Sequence, residues 1–170
     1  MGLETVHPQV LPKLNKKMTL EQFSRAAAFL REQGIALRVF ILVKPPFLPE
    51  AEALEWANRS LDFAFDCGAS VASLIPTRAG NGALEALAEH GEFSPPKLTT
   101  LEQAAAYGVS LQSGRVFADL WDLERFSDCA ECFPARRLRL ERMNLTQTME
   151  PAAGCSHCED RDPARALPSR

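Results

Sequence analysis

At 170 residues with 46% hydrophobic side chains, the chain is long enough to bury one ordinary core. Nineteen basic against 22 acidic residues give a formal charge of -3, which excludes a global electrostatic pull toward nucleic acid or membrane and leaves only local attraction. No signal pattern opens the sequence and no run approaches the ~20 apolar residues of a membrane span, so a cytoplasmic protein without a membrane partner is expected.

The first element is a stub. Gly2-Leu3-Glu4-Thr5 reads as the last step of a strand, and it places a carboxylate at the strand end with Lys16 in the loop behind it. Loops beyond the carboxyl ends of parallel strands line one common face, where such proteins keep their binding groups. Thr19 with Gln22 is a capping-box pattern, and Phe23, Ala26, Ala27 and Leu30 repeat at helical spacing up to Gly34. Residues 35–43 form a nearly unbroken apolar run ended by Lys44-Pro45-Pro46, which suits a strand covered on both faces. A second helix opens at Pro49-Glu50 with Leu54, Ala57, Leu61 and Phe65 on one stripe, and Gly68 ends it. Cys67, in its last turn, reads as a small buried hydrophobe.

Residues 71–75 make a short strand stopped by Pro76, and Gly80-Asn81-Gly82 is a flexible connection into a short helix ending near His90. After the extended Phe93-Ser94-Pro95-Pro96, Thr99 or Thr100 is expected to cap a helix over 101–112, and 115–120 read as the last strand. The sum predicts an α/β fold: a partial (β/α) barrel of parallel strands with outer helices over residues 1–120. Such a half-barrel leaves its first strand edge unpaired, which points to a missing N-terminal segment or a complementary chain.

The composition changes at Trp121. Cys129-Ala130-Glu131-Cys132 and Cys155-Ser156-His157-Cys158 are two CxxC pairs separated by 22 residues, close to zinc-ribbon spacing. Four thiolates close a tetrahedron, so Cys129, Cys132, Cys155 and Cys158 are the expected ligands of a structural zinc, with His157 able to replace one sulfur and an iron-sulfur cluster as the alternative. Pro134 starts the helix between the pairs, which carries Arg136, Arg137, Arg139 and Arg142. This helix is either a solvated face or an approach to the phosphate backbone of RNA. Residues 121–158 thus form a Cys-rich element, and 159–170 read as a disordered tail.

The run Gly-Leu-Glu-Thr, then Leu14-Asn15-Lys16, Met18-Thr19 and Leu42-Val43-Lys44-Pro45-Pro46 resembles the second half of a radical SAM core, nearest to the elongator-like and archaeosine-synthesis groups. The resemblance implies contacts to S-adenosylmethionine from Glu4, against the ribose, and from Lys16, toward the ribose or carboxylate. It also implies a tRNA or nucleobase substrate, which makes tRNA a candidate partner. Lys44, Thr77 and Arg78 follow strand ends and are the candidates for the substrate side. The CxxxCxxC motif that holds the family's 4Fe-4S cluster is not in this sequence, so by the resemblance that cluster requires an upstream segment or another chain. The expected function is therefore the C-terminal portion of a radical SAM enzyme, inactive as this chain alone. The alternatives are a non-catalytic zinc-binding module, able to contact RNA, and a truncated reading frame without independent function.

Overall fold

A computed structural model describes residues 1–80 and 82–159. Asn81 and nearly all of the expected tail, from residue 160 onward, lie outside them. Four strands, β1 (Gly2–Glu4), β2 (Arg38–Val43), β3 (Val71–Pro76) and β4 (Arg115–Ala118), form one sheet in the order β1-β2-β3-β4. Every neighbouring pair is parallel. The helices α1 (Leu20–Glu32), α2 (Glu50–Asp66), α3 (Ala83–Glu89) and α4 (Leu98–Ser110) lie in the crossovers, and α5 (Phe133–Thr146) and α6 (Ser156–Glu159) follow the last strand. The α/β class expected from the alternation of elements is what the structure has. Among the described residues no helix is long and apolar enough to cross a membrane.

Sequential strand order with crossovers of one hand places the crossover helices on the same side of the sheet. The alternation along the strands agrees. Val39, Ile41, Val43, Ala72, Leu74, Val116 and Ala118 are buried in one core with Phe23, Ala57, Leu61, Leu101 and Ala104 from the helices. Their neighbours Arg38, Phe40 and Arg115 point to the opposite face and are exposed. Strand β2 is therefore covered on one face only, although its apolar run suggested two.

Local chemistry sets the boundaries. The capping box of α1 forms as its sequence requires, with Gln22 N–H donating to Thr19 Oγ1 (3.2 Å) and Thr19 N–H to Gln22 Oε1 (2.9 Å). Strand β2 begins three residues later than the apolar run, because Ile35 N–H folds back onto Leu30 C=O (2.9 Å) and closes the helix end at Gly34. Helix α4 begins at Leu98 rather than after a threonine cap. Leu98 is buried together with Leu101, Ala104, Ala105 and Val109, and this continuous stripe draws the extra turn into the core. Thr100 is diverted from capping and donates its hydroxyl to Glu50 Oε1 (2.5 Å). Gly108 lets α4 approach β4, since a Cβ there would lie 2.9 Å from Val116 and 3.1 Å from Leu61.

The two edges of the sheet end differently. Beyond β4 no strand follows among the described residues, and side chains of α5 and its C-cap take its place. Asn144 accepts from Ala118 N–H (2.8 Å) and donates to Ala118 C=O (2.9 Å), while Gln147 does the same for Val116 (2.7 and 3.0 Å). Two amides spaced by three residues thus reproduce the ladder bonds of an absent fifth strand. Replacing Asn144 by alanine leaves one N–H and one C=O of a largely buried strand without partners, at a cost of about 1–3 kcal/mol. Chemical denaturation should read that loss, and an Asn144→Ala variant within 0.5 kcal/mol (roughly the effect of a neutral surface change) would show that the amide does not support the edge.

Candidate functional site

All four strands run the same way, so their carboxyl ends gather the groups singled out by the sequence along one edge. Glu4 ends β1 with φ +66°, a left-handed conformation that costs a non-glycine residue about 1–3 kcal/mol and is concentrated at functional sites. Its carboxylate is nearly buried and pairs with the half-exposed ammonium of Lys16 at 2.8 Å. The Glu4 side chain folds over Gly2, where a Cβ would stand 2.5 Å from Oε1. Lys16 is brought there by a 3-10 helix, Leu11–Leu14, and by the left-handed turn residues Asn15 and Lys17.

The substrate-side candidates sit on the same edge but are internally engaged. Lys44 also ends its strand with a positive φ (+54°), and its ammonium is buried. It donates to Ser94 C=O (2.9 Å), Ser94 Oγ (2.5 Å) and Pro95 C=O (3.2 Å), and lies 3.3 Å from Glu50 Oε2. This lysine clamps the 93–96 connection over the end of β2. Thr77 returns both its N–H and its hydroxyl to Val43 C=O (3.2 and 3.1 Å). Arg78 bridges to Asp119 Oδ2 (2.8 Å) and Trp121 C=O (2.9 Å) and lies over the Trp121 ring, its centroid 4.9 Å away. Its buried Nε has no hydrogen-bond partner among the described residues.

His7, in the loop after β1, is buried. Its Nδ1 accepts from Gln9 and Val10 N–H (3.1 and 3.2 Å), and its ring packs at 4.3 Å on Trp56. These bonds organise the loop after β1, and Nε2 lies 3.7 Å from Glu52 Oε2.

The two CxxC pairs meet. The four sulfurs all lie within 4.8 Å of one another, with Cys129 and Cys155 3.9 Å apart and Cys132 and Cys158 3.6 Å apart. A tetrahedral zinc with bonds of about 2.3 Å sets its sulfurs about 3.8 Å apart. The tetrad therefore fits a single four-coordinate metal such as zinc. A cubane cluster gives each cysteine its own iron and spreads the sulfurs further. The first pair is carried into α5, whose N-cap is Cys132 and whose first turn holds Pro134. The second is returned by the turn after α5, where Gln147 adopts φ +55° and Arg139 Nε holds Glu150 C=O at 2.9 Å.

Without metal the thiols are unequal. Backbone N–H of Cys132, helped by hydrogen bonds from Cys158 and Cys132, brings the Cys129 thiol down to about 7 against the opposing effect of burial. Burial pushes Cys132 up, and hydrogen bonding with Cys132 and Cys129 pushes Cys158 up to about 12. The tetrad thus holds protons that a cation would displace.

The arginine helix divides into two faces. Arg136 is buried and donates through Nε and Nη2 to Glu102 Oε2 (2.9 and 2.5 Å), while Arg139 reaches Glu102 Oε1 at 3.4 Å. Burial works against the Arg136 charge, but Glu102 and the Cys132 sulfur hold its pKa above the usual value. Only Arg137, paired with Glu141 at 3.0 Å, and Arg142 stand on the exposed face. An RNA-contacting role for Arg136 is therefore replaced by a structural one. Sequence reading missed Glu102, whose signal was a lone carboxylate on the stripe of Leu98, Leu101 and Ala105. It also missed Asn144 and Gln147, which carry no signal until β4 is placed.

No protein-family model matches the chain. The archaeosine synthase subunit beta of Methanosarcina acetivorans is 31% identical over 101 residues, covering 59% of this chain and 29% of that protein. That of Thermococcus kodakarensis is 33% identical over 100 residues, covering 58% and 31%. An uncharacterized protein of Methanocaldococcus jannaschii is 27% identical over 156 residues, covering 86% and 42%. The chain spans less than half the length of the curated relatives it matches.

Proposed function

We propose that this chain is the C-terminal portion of a radical SAM enzyme related to archaeosine synthesis, with a structural zinc at the four cysteines. The observation that carries the reading is the similarity to two proteins named archaeosine synthase subunit beta, at 31 and 33% identity over more than half of the chain. The strained, nearly buried Glu4 and its Lys16 partner support it, because they lie on the edge where an α/β protein binds ligands. In this reading Glu4 accepts hydrogen bonds from the ribose hydroxyls of S-adenosylmethionine and Lys16 pairs with its carboxylate. Lys44, Thr77 and Arg78 serve the substrate side by bracing the loops that shape it. Residues 1–120 form the barrel portion and 121–158 the cysteine element.

The 4Fe-4S cluster of that family does not fit here. The four clustered cysteines are spaced for a single ion, and Cys67 stands apart with Ser24 at 3.4 Å. The cluster's ligands belong to a preceding segment or to a complementary chain, as the word subunit in the relatives' names suggests, and the substrate to tRNA in the cytoplasm.

Equilibrium dialysis of the zinc-loaded chain against labelled S-adenosylmethionine tests this. Glu4→Ala and Lys16→Ala should each weaken binding at least about tenfold, the loss of one charge-assisted hydrogen bond. Equal binding by both variants, or none by the wild type, overturns the cofactor assignment. One zinc per chain without cofactor binding would leave the second reading, a zinc-binding module, which the sulfur spacing favours independently.

A further inference from the structure

The cysteine tetrad and the buried ion cluster on Glu102 share a wall. Cys132, Cys155 and Cys158 line one cavity of about 250 Å³ together with Glu102, Arg136 and Arg139. Arg136 stands four residues after Cys132, and its N–H donates to Cys132 C=O (3.0 Å), which closes the first turn of α5. Helical side chains lean toward the N-terminus, so the guanidinium lies back over that turn. Glu102 grips it through Nε and Nη2, which fixes its plane, and the Cys132 sulfur is a further hydrogen-bonding partner. Arg139, one turn on, is held by Glu102 Oε1 (3.4 Å) and Glu150 C=O (2.9 Å).

Charge gives this arrangement a purpose. Four thiolates around one divalent ion sum to two negative charges, and Cys132 is buried. A buried anion is tolerated only beside groups that oppose its charge and donate hydrogen bonds to it. Among the described residues, Arg136 and Arg139 against the single Glu102 leave one positive charge over, directly beside the tetrad. We infer that Arg136 is a positioning residue of the metal centre: its guanidinium donates an N–H to the metal-bound Cys132 thiolate, and Glu102 holds it in the orientation to do so. The inference rests on the zinc assignment in the proposed function and is independent of its radical SAM part.

Cobalt(II) put in place of zinc in the full chain reports on the sulfurs through its thiolate-to-metal charge-transfer band. A hydrogen bond lowers the energy of the sulfur lone pair, so its loss moves that band to lower energy. Arg136→Met should show this red shift and weaken zinc binding about 10–100-fold in competition with a chelator, as loss of an outer partner of a metal ligand does. Arg139→Met loosens the same ion cluster and should leave the band in place. Because Arg136→Met leaves Glu102 short of a partner, the chain carrying both Glu102→Gln and Arg136→Met is measured beside it and should show the same red shift. Wild-type band and affinity in both chains overturn the inference. So does an affinity loss with an unmoved band, which marks a packing role, or an equal shift in Arg139→Met. If the wild type takes up neither zinc nor cobalt, the zinc assignment fails and the inference with it.

Discussion

Changing Cys132 to serine will abolish tight metal binding and release the chain on both sides of α5. Cys132 is the buried member of the tetrad and the N-cap of that helix, so it links the ion to the rest of the fold. Structural zinc contributes on the order of 10 kcal/mol of linked folding free energy in small zinc domains. Here the effect should be local, because Leu140 and Met143 of α5 lie in the main core and do not depend on the ion. Native mass spectrometry should show one zinc in the wild type and none in the variant. Limited proteolysis should then cut within residues 127–132 and 148–158, while the sheet stays intact. A metal-free protein with unchanged protease resistance would show that the tetrad is not a metal centre.

The pH dependence has a definite sign. Cys132 and Cys158 keep their protons above the ordinary thiol range, so at neutral pH metal binding displaces at least these two. Apparent affinity should fall with acidification, on the order of 100-fold per pH unit for two displaced protons. Competition with a chelator between pH 6 and 8 measures the slope, and a flat profile would contradict thiolate ligation.

Replacing Glu102 by alanine should destabilise the zinc-loaded chain by about 3–5 kcal/mol, the cost of breaking a buried ion pair from one side. Among the described residues Glu102 is the only carboxylate pairing with Arg136 and Arg139, and all three side chains are largely buried between α4 and α5. Its removal leaves two desolvated cations facing each other. The exposed pair of Arg137 and Glu141 provides the contrast, since Arg137→Ala should cost no more than about 1 kcal/mol. Guanidinium denaturation distinguishes the two. A Glu102→Ala loss as small as that of Arg137→Ala would mean that water reaches the α4–α5 interface.

Much of the scaffold was legible because it is written in local terms. The Thr19–Gln22 capping box, the apolar stripe of α2, the proline that stops β3 and the Pro134 start of α5 each involve residues within a turn of one another. The CxxC spacing was likewise sufficient to single out four ligands, since two residues between cysteines bring both sulfurs to one side of a turn. Where reading along the chain failed, a distant group had intervened. Glu50 takes the Thr100 hydroxyl from across 50 residues, and Leu98 enters the core and lengthens α4.

What the sequence by itself determined is the order and type of the elements, the parallel sheet and the identity of the cysteine tetrad, because periodicity, caps and short spacings act within a few residues. Only the tertiary structure decided which charges are free. It paired Glu4 with Lys16, sank Lys44 under the Ser94 connection, and turned two of the four α5 arginines inward onto Glu102. Among the described residues it set Arg38 and Arg115 against the phenyl rings of the open face rather than against a carboxylate. A charge has no periodicity of its own. Whether it faces water, an opposite charge or a ligand depends on segments that meet only when the sheet has closed on its helices.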